Sequence, residues 1–275
     1  MRYLTITIIA LASLPSLPWA APPAAAIEPS NAKETAQKKT DTDAATEEKY
    51  RRWRDGLPQD ELRWVETLEQ NLGAFYLPRY KSEKAAGRIS AWDFVRDDAK
   101  LPRVLLIGDS VSRGYTLDVR RATAGKANIH RAPENCGPTA NGIKKLGIWL
   151  GDGHWDLIHF NFGIHDRKAP AADYEKRLRE IVARLRATKA RLLWASSTPL
   201  PDSKEYSDAD IVEKNAIASK VMSEAGVPTD DLYAFAKPHL AEWQNPGDCH
   251  FNAKGYEALG GRVAETILAH LTKSR

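Results

Sequence analysis

The side chains able to do chemistry centre on Ser110. It closes the run Arg103-Val104-Leu105-Leu106-Ile107-Gly108-Asp109-Ser110, apolar residues that end in Gly-Asp-Ser ahead of a helix-compatible segment. Such a run predicts a buried parallel strand feeding a tight turn, at the rim where open α/β sheets place their ligands. A hydroxyl at that helix N-terminus faces backbone N–H groups and the positive end of a helix dipole, the surroundings a developing anion needs. The tripeptide would serve equally well as a plain helix cap, so its partners decide. A serine nucleophile needs a base and a group to orient that base. Seven histidines are available. His130 and His159 fall in expected strands, and His154, His239 and His270 have no supporting context. His250 lies in Asn245-Pro246-Gly247-Asp248-Cys249-His250-Phe251-Asn252, a loop of turn formers just before the last expected helix. Asp248, two residues earlier, is the natural orienting carboxylate.

The elements that must position these groups follow from hydrophobic periodicity. Expected strands are 103–108, 127–131, 156–162, 191–197 and 228–233. Expected helices lie near 111–124, 141–150, 170–188, 208–225 and 253–272. Tyr174, Leu178, Ile181, Val182 and Leu185 give the 170–188 helix one apolar face. Alternating strand and helix predicts βαβ units, and five strands with helices on both faces predict a flavodoxin-like α/β/α sandwich over 101–275. Ahead of it, Leu62, Val65, Leu68 and Leu72 recur at helical spacing after Pro58. Residues 48–100 therefore read as a helical N-terminal extension whose aromatics pack on the main domain.

Residues 1–26 have the form of a secretory signal: Arg2, an apolar core from Leu4 to Leu14, and the small residues Ala24-Ala25-Ala26. The apolar run is too short to span a bilayer. Residues 27–47 carry almost nothing to bury and read as a disordered linker. The net charge of +4 falls by one without Arg2 and is spread evenly, which gives no support for nucleic acid or an anionic membrane as partner. A periplasmic or secreted location follows as an expectation, with no integral membrane association after cleavage.

Four short blocks, in order and each on a loop after an expected strand, carry a family resemblance. They are Gly108-Asp109-Ser110, Asn135-Cys136-Gly137-Pro138-Thr139, Gly163-Ile164-His165-Asp166 and Asp248-Cys249-His250-Phe251. On these the chain resembles the SGNH, or GDSL-like, hydrolase superfamily. The stretch Trp149-Leu150-Gly151-Asp152-Gly153-His154-Trp155-Asp156 is also similar to exported bacterial SGNH proteins associated with polysaccharide breakdown. The resemblance implies Ser110 as nucleophile, His250 as base and Asp248 as its orienter, with the N–H groups of Ser110 and Gly137 as oxyanion donors. Two departures stand out. The superfamily usually has Asp-x-x-His, and here Asp248 precedes His250 by two. It also usually has Asn where His165 stands; an imidazole N–H could donate in its place, with Asn161 as the alternative.

The resemblance implies ester hydrolysis through an acyl-serine, with no cofactor and no metal. The leading expectation for substrate is an O-acetyl ester on carbohydrate, with Tyr115 and Trp243 as sugar-stacking contacts. A lysophospholipase or thioesterase acting on longer chains is the second reading, and a non-catalytic glycan-binding module the third. Cys136 adjoins Gly137 and Cys249 adjoins His250. In an oxidising compartment a Cys136–Cys249 disulfide and two free thiols are both open.

Overall fold

Both faces of the central strands are covered, which is why each reads as a continuous apolar run. The computed structural model describes residues 43–272, apart from Asp152 and Lys204. Its strands are β1 (Arg103–Ile107), β2 (Asn128–Arg131), β3 (Leu157–Phe160), β4 (Arg191–Ala195) and β5 (Thr229–Asp230). All neighbours pair in parallel, in the order β2-β1-β3-β4-β5, the flavodoxin-like arrangement expected. The helices are α1 (43–55), α2 (Gln59–Asn71), α3 (Gly73–Ala85), α4 (Ser110–Ala122), α5 (Thr139–Leu150), α6 (Ala171–Ala187) and α7 (Asp208–Ala225). Two short ones, α8 (Leu232–Ala236) and α9 (Leu240–Trp243), precede the long α10 (Ala253–Thr272).

Alternation along β1 divides the core into two. Val104 and Leu106 face Val111, Tyr115 and Val119 of α4 and Leu259, Val263 and Ile267 of α10. Leu105 and Ile107 face Leu146 of α5, Leu178 and Ile181 of α6 and Met222 of α7. The sheet is thus sandwiched between α4 with α10 and α5 with α6 and α7. On the first side α10 lies very close to α4. A Cβ at Gly260 would meet Asp118 Cβ at 2.4 Å and Tyr115 O at 3.2 Å.

Four of the five strands stop earlier than expected, most of all β5. There Asp231 leaves the ladder to cap α8, its side chain accepting from Ala234 N. Ser110 begins α4 rather than capping it; the cap is Asp109, which accepts from Val111 N at 3.0 Å. Helix α1 is already formed ahead of the expected start at Glu48. The expected signal and most of the expected linker lie outside the described residues.

The described residues from Ala45 onward form one compact unit. Within it, the extension has a cluster of its own around Tyr50, Leu68, Leu72, Tyr80 and Trp92. It meets the sheet at edge strand β2 and at α4. Asp97 pairs with His130 of β2 at 2.6 Å, and Arg120 of α4 donates to Ser90 O and Asp93 O.

The cysteines are two free thiols, the second of the two readings left open. Cys136 belongs to the α5–α6–α7 side of the core and Cys249 to the α4–α10 side, so neighbours along the rim point to opposite faces of the sheet. Burial pushes the Cys136 thiol up to about 12 and the Cys249 thiol up to about 11.

Gly260→Ala forces α10 off α4, and overpacking of this kind costs about 1–3 kcal/mol; thermal unfolding should show the loss. The thiols should stay silent to a thiol reagent in the folded chain, and both should react on unfolding without reductant. Unfolded thiols ionise near pH 8.5 while the buried pair keep their protons, so their stability contribution is complete below about that pH and is lost as pH rises towards 11–12. The alkaline fall in Tm should be shallower in Cys136→Ala.

Candidate active site

The Ser110 turn is held from beneath by an arginine. Arg131, buried at the end of β2, donates to Gly108 O at 3.0 Å, to Asp109 O at 2.8 Å and to the Ser112 hydroxyl. These are the carbonyls of the two residues that lead into Ser110, so the guanidinium fixes the chain as it leaves β1. The loop after β2 is tied to the same turn by Cys136 N, which donates to Gly108 O at 3.2 Å. Glu134 anchors that loop to α5 by accepting from Trp149 Nε1, Lys145 Nζ and Asn141 Nδ2. It then turns through Gly137 at φ 65°, a left-handed backbone that suits glycine.

Helix α5 starts after Pro138, which offers no side-chain cap. Asp166 supplies one from the third loop: its carboxylate accepts from Thr139 N at 2.8 Å and Thr139 Oγ1 at 2.6 Å. Burial raises the Asp166 pKa against the lowering effect of those bonds. The second and third motif blocks are therefore clamped to each other, and Asp166 is occupied structurally.

The fourth loop is a turn closed by Asn245 N to His250 O at 2.9 Å and Asp248 N to Asn245 O at 3.1 Å, with Gly247 at φ 68°. Within it Asp248 Oδ1 reaches both His250 N, at 3.2 Å, and His250 Nδ1, at 2.7 Å. That double contact explains how a carboxylate only two residues ahead can orient the ring. His250 Nε2 lies 2.8 Å from Ser110 Oγ. A carboxylate only accepts, so Nδ1 carries the proton and Nε2 is left to accept from the serine hydroxyl. Burial alone would raise Asp248, but the hydrogen bond and charge of His250 hold its carboxyl below the usual range.

The structure thus brings Ser110, His250 and Asp248 into one hydrogen-bonded chain. The N–H groups of Ser110 and Gly137 donate no hydrogen bond within the described protein, leaving two donors beside the hydroxyl. His165 is exposed on the short 3-10 turn Ile164–Asp166, also without a hydrogen-bond partner. Asn161 is excluded as the alternative donor, because its amide already serves Ala195 O at 2.8 Å and Ser197 Oγ at 3.1 Å.

Two expected contacts are corrected. Tyr115 is 2% exposed and packs in the core, edge-on to His159. Trp243 is 8% exposed, its ring stacked on His239 at 4.1 Å and against Phe235. Its contribution to the site is a backbone one, the Trp243 carbonyl accepting from Asn252 N at 2.8 Å. Among the described residues, the one set of three groups able to gather a metal ion is Asp248, Cys249 and His250, and two of these are already engaged with each other. Arg131 was not singled out by sequence reasoning, although a charged residue ending an otherwise buried strand was a usable signal.

The chain matches the model of the GDSL-like Lipase/Acylhydrolase family over residues 106–258, more than half its length. No curated protein matches it. Among solved structures it is similar to the lipase/acylhydrolase from Enterococcus faecalis, at 22% identity and a TM-score of 0.56, covering 63% of this chain and 99% of that one. It is also similar to Axe2, an acetylxylan esterase from Geobacillus stearothermophilus, at 12% identity and a TM-score of 0.51, covering 63% and 95%. A GDSL-like lipase from Bacteroides thetaiotaomicron is similar at 14% identity and a TM-score of 0.53, covering 70% and 97%. At these identities the likeness speaks for the fold, and the family match adds the chemistry class. The chain belongs to the GDSL-like, or SGNH, lipase/acylhydrolase family.

Proposed function

We propose that this chain is an exported serine esterase that removes short acyl groups, acetate foremost, from carbohydrate. The observation that carries the esterase chemistry is the Ser110–His250–Asp248 chain at 2.8 and 2.7 Å, beside the two uncommitted N–H groups. His250 takes the Ser110 proton as Oγ attacks the acyl carbon. The tetrahedral oxyanion is met by the N–H groups of Ser110 and Gly137, with the His165 ring as third donor. Collapse expels the sugar alkoxide, which leaves as an alcohol with the proton from His250. Water, deprotonated by the same imidazole, then attacks the acyl-serine, and the acid is released as Ser110 Oγ takes the proton back from His250. Asp248 holds the ring's tautomer and stabilises its charged form.

The substrate reading rests on access. The His250 and Asp248 side chains are 35% and 43% exposed, so the base and its orienter stand at an open rim with Ser110 buried beside them. That suits a bulky hydrophilic carrier of which only the acyl group need enter. The acetylxylan esterase among the similar folds is in keeping with this. Export rests on the form of residues 1–26, and no helix of the described residues is long and apolar enough to cross a membrane. A purely glycan-binding module would gain nothing from an assembled triad.

Ser110→Ala or His250→Ala should each lower turnover by about 10⁴–10⁶, with the double variant hardly worse and Asp248→Ala milder. Wild-type activity in Ser110→Ala overturns the reading. On p-nitrophenyl esters the rate should fall from acetate to butyrate and beyond; a rise towards octanoate assigns the chain to the longer-acyl reading instead. His165→Ala should cost about 10²–10³ in turnover per active site titrated with a phosphonate, and His165→Asn should recover part of it. Near-normal turnover in His165→Ala leaves the oxyanion to the backbone donors alone.

A further inference from the structure

One turn beyond the nucleophile, α4 carries a cation that no carboxylate of the described residues neutralises. Arg113 and Ser110 are i,i+3 neighbours, so their Cβ atoms lie about 5–6 Å apart on one helix face. The half-buried Arg113 side chain forms no hydrogen bond or ion pair within the described protein, and its Nε is buried without a partner. It is held instead by two rings of the N-terminal extension, its Cζ 5.6 Å from the Tyr76 centroid and 5.7 Å from that of Trp92. Those rings meet edge to face at 5.3 Å. Next along the same surface is Phe75, 61% exposed and 4.8 Å from Tyr76. Arg79, also without a carboxylate partner, lies over it at 4.2 Å.

An unpaired guanidinium held against two rings is costly to leave unmatched in a half-buried place. It is preorganised for a planar anion, since its fork suits a carboxylate in two-point contact. The negative charge inside the turn is no competitor. Asp109 is buried and already caps α4 through Val111 N, and it stands beside the second buried cation, Arg131. Asp93 of the extension is paired with Lys84 at 2.6 Å.

We propose that Arg113, framed by Tyr76 and Trp92, is an anion-recognition subsite for the acyl-ester substrate, and that the favoured esters sit on acidic sugars bearing a carboxylate. This rests on the esterase reading above and names its substrate class. The carboxylate engages Arg113 while the acyl group one turn away reaches Ser110, and Phe75 offers a stacking face for a neighbouring sugar ring.

The test compares kcat/KM for 4-acetoxybenzoate and its methyl ester, and for acetylated oligogalacturonides and acetylated xylo-oligosaccharides, each corrected for hydroxide-catalysed reactivity. The full chain should favour the anionic member by about tenfold or more, mostly through KM, as expected for one charge-assisted contact. The preference should weaken from about 0.05 to about 0.5 M salt through screening. In Arg113→Met the anionic-to-neutral ratio should fall to near one, and Arg113→Lys should keep part of it. An anionic-to-neutral ratio near one in the wild type, or one that survives Arg113→Met, overturns the subsite. Should Arg113→Met not fold, the salt series on the wild type decides, and a salt-independent ratio overturns it. Turnover of neither ester, or turnover that persists in Ser110→Ala, overturns the esterase reading and this inference with it. Turnover of the neutral ester without anionic preference overturns this inference alone.

Discussion

Ser110 and His250 are 140 residues apart in the chain and 2.8 Å apart at their reacting atoms. One begins α4 and the other sits just before α10, so their contact is set by how closely those two helices approach. The approach is made by absent side chains. At Gly260 the neighbouring helix lies where a Cβ would be, and a Cβ at Gly114 would fall within 2.0 Å of the Tyr256 ring. Interiors packed to this density transmit small displacements, so the Ser110–His250 distance depends on the helix interface as much as on the loops. The apolar face that α4 and α10 share with β1 holds both in place.

The second constraint is electrostatic. Arg131 is a fully buried cation whose guanidinium meets carbonyls and a hydroxyl in place of a carboxylate. Burial lowers its pKa, and the arrangement persists because the surrounding carbonyl oxygens supply the negative ends of dipoles. The consequence for the site is twofold. The backbone leading into Ser110 is pinned, and positive charge lies beneath a turn that already presents N–H groups and a helix dipole. The extension belongs to this scheme as well: Trp92 packs its ring against both Arg131 and Arg113. A segment outside the α/β sandwich thereby shapes the charge around Ser110.

The sequence made the sandwich legible because hydrophobic periodicity reports which faces are buried, and the parallel order then follows from alternating elements. Ser110, His250 and Asp248 were legible because turn-forming residues around each placed them on loops at one rim. What periodicity cannot report is the azimuth of a side chain on its own element. Tyr115 lies five residues after Ser110, which on a helix rotates it by about 140° and turns it inward to the sheet. Trp243 precedes the base loop but ends a short helix that turns its ring onto Phe235 and His239 of the preceding segment. The cysteines failed as a pair for the same reason, each adjoining a rim residue while pointing to a different side of the sheet. Arg131 and Arg113 escaped notice because their significance is tertiary: one reaches back from the neighbouring strand, the other out to a separate segment.

The free thiol beside the base bears on the departure from the family's usual Asp-x-x-His spacing. Cys249 Sγ lies 3.6 Å from His250 Nδ1, while Asp248 Oδ1 lies 2.7 Å from the same nitrogen. A thiolate there would compete for the Nδ1 proton and bring a second negative charge next to Asp248. Burial prevents this by pushing the Cys249 thiol up to about 11. It stays neutral well above the pH at which a free thiol ionises, and a neutral thiol is a weak acceptor. Asp248 is held on the opposite course, its carboxyl below the usual range through His250 despite partial burial. One group is kept uncharged and the other charged by surroundings a single residue apart. That separation lets a carboxylate only two residues from the histidine keep sole command of the ring.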